Sequence, residues 1–186
     1  MTAPLFAQKK EYFSKGNFAF EYGNWKPSEL DKNPSKPLSR IEGTDYYYGY
    51  SITSPMIKSY AFRLSYIYWK QQGLQSTVNM DYVSLRHLSV ELKNYMLTES
   101  RLCPYVNYGM AAIWSRQVPA GADNKKIKLD RAGFGFNVGA GIDLYLFSHI
   151  GVSIEYSYLY ARFTEIVGQT DNYSGPKICT RLNLLF

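Results

Sequence analysis

The sequence predicts an all-β protein, a single eight-stranded antiparallel up-and-down transmembrane β-barrel. Three observations lead there. Apolar residues alternate with small or polar ones in run after run, over thirteen residues in the clearest against the ~4–8 of a soluble strand. Eight such runs can be marked, an even number. The connections between them alternate between long and short, as they do in barrels that cross a membrane. Composition agrees with this. The 186 residues include 18 Tyr, 10 Phe and 3 Trp, so 17% are aromatic, while Asp, Glu, Lys and Arg supply only 19%, below the usual quarter. A mean hydropathy of -0.30 and the lack of any ~18-residue apolar run exclude a polytopic helical membrane protein. The wide spread of aromatics excludes disorder.

Each strand follows from its alternation. The first sets Phe18, Phe20 and Tyr22 against Ala19, Glu21 and Gly23. In the second, Tyr46, Tyr48, Tyr50 and Ile52 oppose Tyr47, Gly49, Ser51 and Thr53. The third opposes Tyr60, Phe62, Leu64, Tyr66 and Tyr68 to Ala61, Arg63, Ser65 and Ile67. Leu88, Val90 and Leu92 form the fourth against His87, Ser89, Glu91 and Lys93, with a bulge expected near Arg86, where the parity slips. The fifth sets Val106, Tyr108, Met110, Ala112 and Trp114 against Tyr105, Asn107, Gly109 and Ala111. The sixth is the clearest, running from Phe134 to Leu146 with Gly135, Gly139 and Gly141 on its second parity. Glycines at that spacing would cost a helix ~1 kcal/mol each. Val152, Ile154, Tyr156, Tyr158 and Tyr160 make the seventh, and Ile178, Thr180, Leu182, Leu184 and Phe186 the eighth. Long polar connections are expected at 26–42, 70–80, 116–128 and 164–176. Tight turns are expected at Ser54-Pro55, Thr98-Glu99-Ser100 and Ser148-His149. Residues 1–15 read as an N-terminal periplasmic tail and 16–186 as the barrel, with residues 1–10 too short in apolar content for an export signal.

The two parities decide which face is wet. One is large, apolar and aromatic; the other carries Gly, Ser, Asn and charge. A soluble ligand-binding barrel would turn the apolar parity inward, a membrane barrel outward. The polar parity holds Glu21, Arg63, Glu91, Lys93, Asp143, Glu155 and Arg181, an expensive set to bury around an apolar ligand but a suitable filling for a narrow polar lumen. With periplasmic termini, Trp25, Tyr46, Tyr48, Tyr66, Tyr68, Trp114, Phe134, Tyr158 and Tyr160 reach the outer strand ends. Tyr60, Tyr95, Phe147 and Phe186 reach the inner ones, giving two aromatic girdles. Phe136, Val138, Ile142, Leu144, Ile154 and Leu184 are expected to face lipid.

The closing Leu182-Asn183-Leu184-Leu185-Phe186 resembles the assembly signal of bacterial outer-membrane proteins, with Phe186 as its terminal aromatic. Gly133-Phe-Gly-Phe-Asn-Val-Gly-Ala-Gly-Ile-Asp-Leu, followed by Gly151-Val-Ser-Ile-Glu-Tyr-Ser-Tyr, resembles the last hairpins of OmpA/OmpX-type barrels. The resemblance implies residence in a Gram-negative outer membrane and assembly by the barrel insertion machinery.

Chemistry is sparse. An imidazole base must be His87 or His149. His149 lies in an expected turn. His87 faces the lumen with Glu91 four residues on, so either an oriented base or a lumen filler fits it. Glu155 and Ser157 resemble the active strand of the lipid A deacylase PagL, except that Glu stands where that enzyme has His, which removes the base for the serine. Cys103 and Cys179 share the lumen parity and are expected to be free. No cofactor and no metal is expected. Arg116, Lys125, Lys126, Lys128 and Arg131 rim one long connection and could contact lipopolysaccharide phosphates. The +6 net charge is otherwise scattered, so nucleic acid is not an expected partner. Outer-membrane lipids, the assembly machinery and an envelope protein are. The expected role is non-enzymatic and structural or interactive: envelope integrity, surface adhesion, or membership of an envelope complex. A PagL-like lipid-modifying enzyme and a narrow channel are the alternatives.

Overall fold

The computed structural model describes residues 15–28, 46–55, 57, 59–72, 75–76, 78–98, 100–119, 129–168 and 170–186. Its strands are β1 (Asn17–Trp25), β2 (Tyr46–Pro55), β3 (Tyr60–Gln72), β4 (Gln75–Ser76), β5 (Val78–Tyr95), β6 (Leu102–Pro119), β7 (Leu129–Tyr145), β8 (Ile150–Val167), β9 (Thr170–Asn172) and β10 (Gly175–Leu185). β4 and β9 are short pieces in two of the long connections. The other eight close an antiparallel ring, each strand beside its sequence neighbour, with β10 pairing β1 on one side and β8 on the other. Every backbone edge in the ring is thereby paired, the condition lipid imposes on strands.

Alternation does the sorting. Along β8 the side chains switch strictly between buried and exposed from Ser153 to Thr164. The exposed set on the outer wall includes Phe20, Ile52, Leu64, Val90, Met110, Phe136, Val138, Ile142, Ile154, Leu182 and Leu184. Leu144, also on this wall, is half-buried. Short turns join β2 to β3, β5 to β6 and β7 to β8, and the two chain ends meet at the same rim. There the Phe186 N–H donates to the Gly16 carbonyl at 3.0 Å and the Leu185 N–H to that of His149 at 2.8 Å. This short-turn rim is the one that the sequence reading expects on the periplasmic side.

Three features differ from the expectation. The strands run further toward the long-connection rim than their alternation indicates: β3 reaches Gln72, β6 Pro119 and β8 Val167. Much of 70–80 and 164–176, and residues 116–119 of the third connection, are therefore strand, because the apolar pattern fades where the wall leaves the hydrocarbon while the pairing continues. Eighteen residues at ~3.4 Å, tilted ~40°, rise roughly 45 Å, well past a ~25 Å apolar band. The bulge expected near Arg86 is absent, since Tyr68, Arg86 and Trp114 stand in unbroken register and the shift occurs between Met80 and Tyr82. The expected 1–15 tail lies outside the described residues except for Lys15, whose Nζ donates to the Ser148 carbonyl at 3.2 Å.

Candidate functional site

An eight-stranded barrel has an interior only wide enough for side chains, and here they fill it in three layers. Near the short-turn rim, Ala61, Tyr95, Cys103, Tyr105, Tyr145 and Leu185 pack together. Toward the other rim a larger group includes Trp25, Ile67, Trp69, Leu85, Ile113, Leu159, Phe163 and Tyr173. The Trp25 and Trp69 rings lie 5.5 Å apart, and the Tyr173 ring meets both Trp69 and Phe163 edge-on. Tyr173, in the connection before β10, holds this lid down by donating its hydroxyl to the Val167 carbonyl at 2.6 Å. Burial pushes its phenol up, so it remains a donor through the physiological range.

Between the layers lies a string of charge. Arg63 bonds Glu91 on one side and Glu155 at 2.8 Å on the other. Arg181 joins Glu155 at 3.0 Å to Glu21 at 2.9 Å, and Glu21 has Lys177 at 3.9 Å. Lys93 and Asp143 form a separate pair at 2.8 Å, with Lys93 also over the Tyr105 ring. Four acids thus meet four bases, all buried. Neutral donors complete the shell: Tyr105 to Glu155 at 2.9 Å, Tyr47 to Glu21 at 2.9 Å, Tyr95 to Asp143 at 2.6 Å, and Ser89 and Asn107 to Glu91. Buried charges are tolerable only when satisfied in this way.

The seven charged residues expected in the lumen are all in these contacts. Lys177 was not foreseen, because the eighth strand read from its alternation begins one residue later, at Ile178. It is the charge that balances the four buried acids among the described residues. Trp25 and Tyr95, expected in the girdles, instead point inward and are buried, because at a strand end one step of parity separates girdle from lumen. The same inward apolar group accounts for the apparent slip at Arg86. Leu85 and Val83 belong to the lumen lid, so the parity never changes; only the chemistry of the inner face does.

The candidate catalytic groups do not meet. His87 faces the lumen with no hydrogen-bond partner on either ring nitrogen among the described residues, and neither has the Ser157 hydroxyl. Glu91 is committed to Arg63, Ser89 and Asn107, not to His87. His149 is exposed in its turn, 2.8 Å from Ser148. Cys103 and Cys179 are buried and free. Of the basic rim cluster, Arg116 pairs with Asp130 at 3.2 Å and Arg131 with Glu165 at 2.7 Å. Lys125, Lys126 and Lys128 lie outside the described residues.

A buried, charged interior within an exposed apolar wall decides the solvent for that wall. It is lipid. Known structures carry the same architecture. The chain is similar to the N-terminal β-barrel domain of Pseudomonas aeruginosa OprF, with 14% identity over 92% of this chain and 97% of that one and a TM-score of 0.59. It is similar to Neisserial surface protein A, with 12% identity, 92% and 96% coverage and a TM-score of 0.63. It also resembles Ail, the attachment invasion locus protein of Yersinia pestis, with 12% identity, 92% and 97% coverage and a TM-score of 0.52. The fold is that of the eight-stranded outer-membrane β-barrels. No protein-family profile and no curated protein sequence matches the chain.

Proposed function

We propose that the protein is a non-conducting, non-enzymatic barrel of a bacterial outer membrane whose role is structural or interactive. It would act through its lipid wall and its extracellular hairpins, in envelope integrity, adhesion or an envelope complex. One observation carries this reading: a charge string, balanced among the described residues, lies between two apolar layers of the lumen, a filling of side chains that works against both a wide aqueous path and a substrate pocket. The reach of β5, β6, β7 and β8 beyond a ~25 Å apolar band supports an interactive role, since it lifts the outer ends of these four adjacent strands clear of the headgroups. Phe186 at the periplasmic rim fits recognition by the assembly machinery.

Planar bilayers test the reading. Purified barrel is expected to give no reproducible large single-channel steps. Steps that recur with a fixed conductance, and that change in Arg63→Gln, would replace it with the channel reading.

A further inference from the structure

The outer wall carries a groove of ≈ 350 Å³ lined by Tyr66, Arg86, Trp114, Ser115, Arg116 and Asp130. Its height is given by register. Arg86 stands opposite Tyr68 on β3 and Trp114 on β6. Toward the short-turn rim the lipid-facing positions of β5 are Leu88, Val90 and Leu92; toward the other rim the neighbouring strands present Lys70, Arg116 and Asp130. Eight residues separate Asn94 near the short-turn rim from Arg86. At ~3.4 Å each and a ~40° tilt that is a rise of roughly 21 Å, so the groove straddles the outer edge of the hydrocarbon.

Arg86 is exposed on the lipid parity and has no acidic partner among the described residues. An arginine there is costly in hydrocarbon and inexpensive at the headgroup plane. Its forked guanidinium suits a phosphate in two-point contact. Arg116 enters the same groove. Its pair with Asp130 has side chains 35% and 62% exposed, a weak contact that a more highly charged anion can displace. Trp114 and Tyr66 wall the groove with rings suited to the interface.

We propose that this groove holds the phosphorylated headgroup of a lipid in the extracellular leaflet, with Arg86 and Arg116 on the phosphate and Trp114 and Tyr66 against the sugar or glycerol beside it. This rests on the membrane reading above. It differs from the expectation for the basic rim cluster: Arg116 works with Arg86 on the outer wall, while Arg131 does not line the groove.

The test is native mass spectrometry of the full chain, folded in micelles and supplied with lipid A or the same lipid with its phosphates removed. Wild type is expected to retain the phosphorylated form at least about tenfold better, the scale of a two-point charge-assisted contact. Arg86→Gln should abolish that preference. Arg162→Gln, an outward arginine beside Tyr160, should leave it intact. Heat-dependent gel mobility reports that each variant is folded. Equal retention of both lipids by wild type, or unchanged preference in Arg86→Gln, overturns the inference alone. Displacement by millimolar inorganic phosphate would also overturn it, by making the ligand a free anion. Failure of wild type to insert into vesicles overturns the membrane reading and the inference together.

Discussion

Glu155→Gln removes the central acid of the lumen string. Its Oε2 is shared by Arg63 Nη1 at 2.8 Å and Arg181 Nη1 at 3.0 Å, and Tyr105 also donates to it. The two guanidinium groups therefore stand within ~6 Å of each other, a repulsion of roughly 3 kcal/mol at an effective dielectric of ~20. In wild type the carboxylate between them more than offsets that. Each arginine keeps one other acid, Glu91 or Glu21, but the interior is left with one uncompensated positive charge. Breaking a buried pair from one side costs about 3–5 kcal/mol, and we expect Glu155→Gln to lose that much in urea unfolding from vesicles. Glu155→Leu with Arg181→Met restores neutrality, leaving Arg63 with Glu91 and Lys177 with Glu21. This double variant should be more stable than the sum of its two single changes predicts. A loss under ~0.5 kcal/mol for Glu155→Gln, or strict additivity in the cycle, would refute the string as a coupled unit.

Other expectations follow from single positions. Ile142→Arg, about 5 Å from the middle of the wall between Phe134 and Leu146, should cost about 2–4 kcal/mol in the same assay. A Cβ on Gly109 would sit 2.6 Å from the Glu91 Cα and 2.7 Å from its Cγ, with the Val90 carbonyl nearer still; Gly109→Ala should therefore shift Glu91 off Arg63 and lose about 1–3 kcal/mol. Cys103 and Cys179, 1% and 2% exposed, should resist a water-soluble maleimide in the folded barrel and react in urea. Incubation with lipopolysaccharide or phospholipid should release no acyl chains by mass spectrometry; turnover that vanishes in both His87→Ala and Ser157→Ala would make the barrel an enzyme.

Alternation made the ring legible because a period of two states which side chains share a face, and closure then follows from strand number and turn length. It cannot say what a face will hold along its length. The inner face of β5 changes from Glu91 and Ser89 to Leu85 and Val83 without changing sides, and in the sequence that looks like a slip. The charged residues of the interior stood out because a lipid-bound wall excludes them. Lys177, Tyr95 and Trp25 were misjudged for one shared reason: each sits at or near a strand end, where the pattern is too short to fix parity. The groove at Arg86 was invisible for another reason. It joins side chains from β3, β5, β6 and β7 whose relative heights depend on register, which one strand's pattern does not contain.

The central claim is that the large apolar parity meets lipid and the charged parity meets the barrel's own interior. Methyl NMR on the unaltered protein, in bilayers carrying a lipid-attached nitroxide, measures this directly. The account predicts strong broadening for Val138, Ile142, Ile154 and Leu184, and sharp signals for Leu85, Ile113 and Leu159. Equal broadening of both groups, or the reverse pattern, would contradict it.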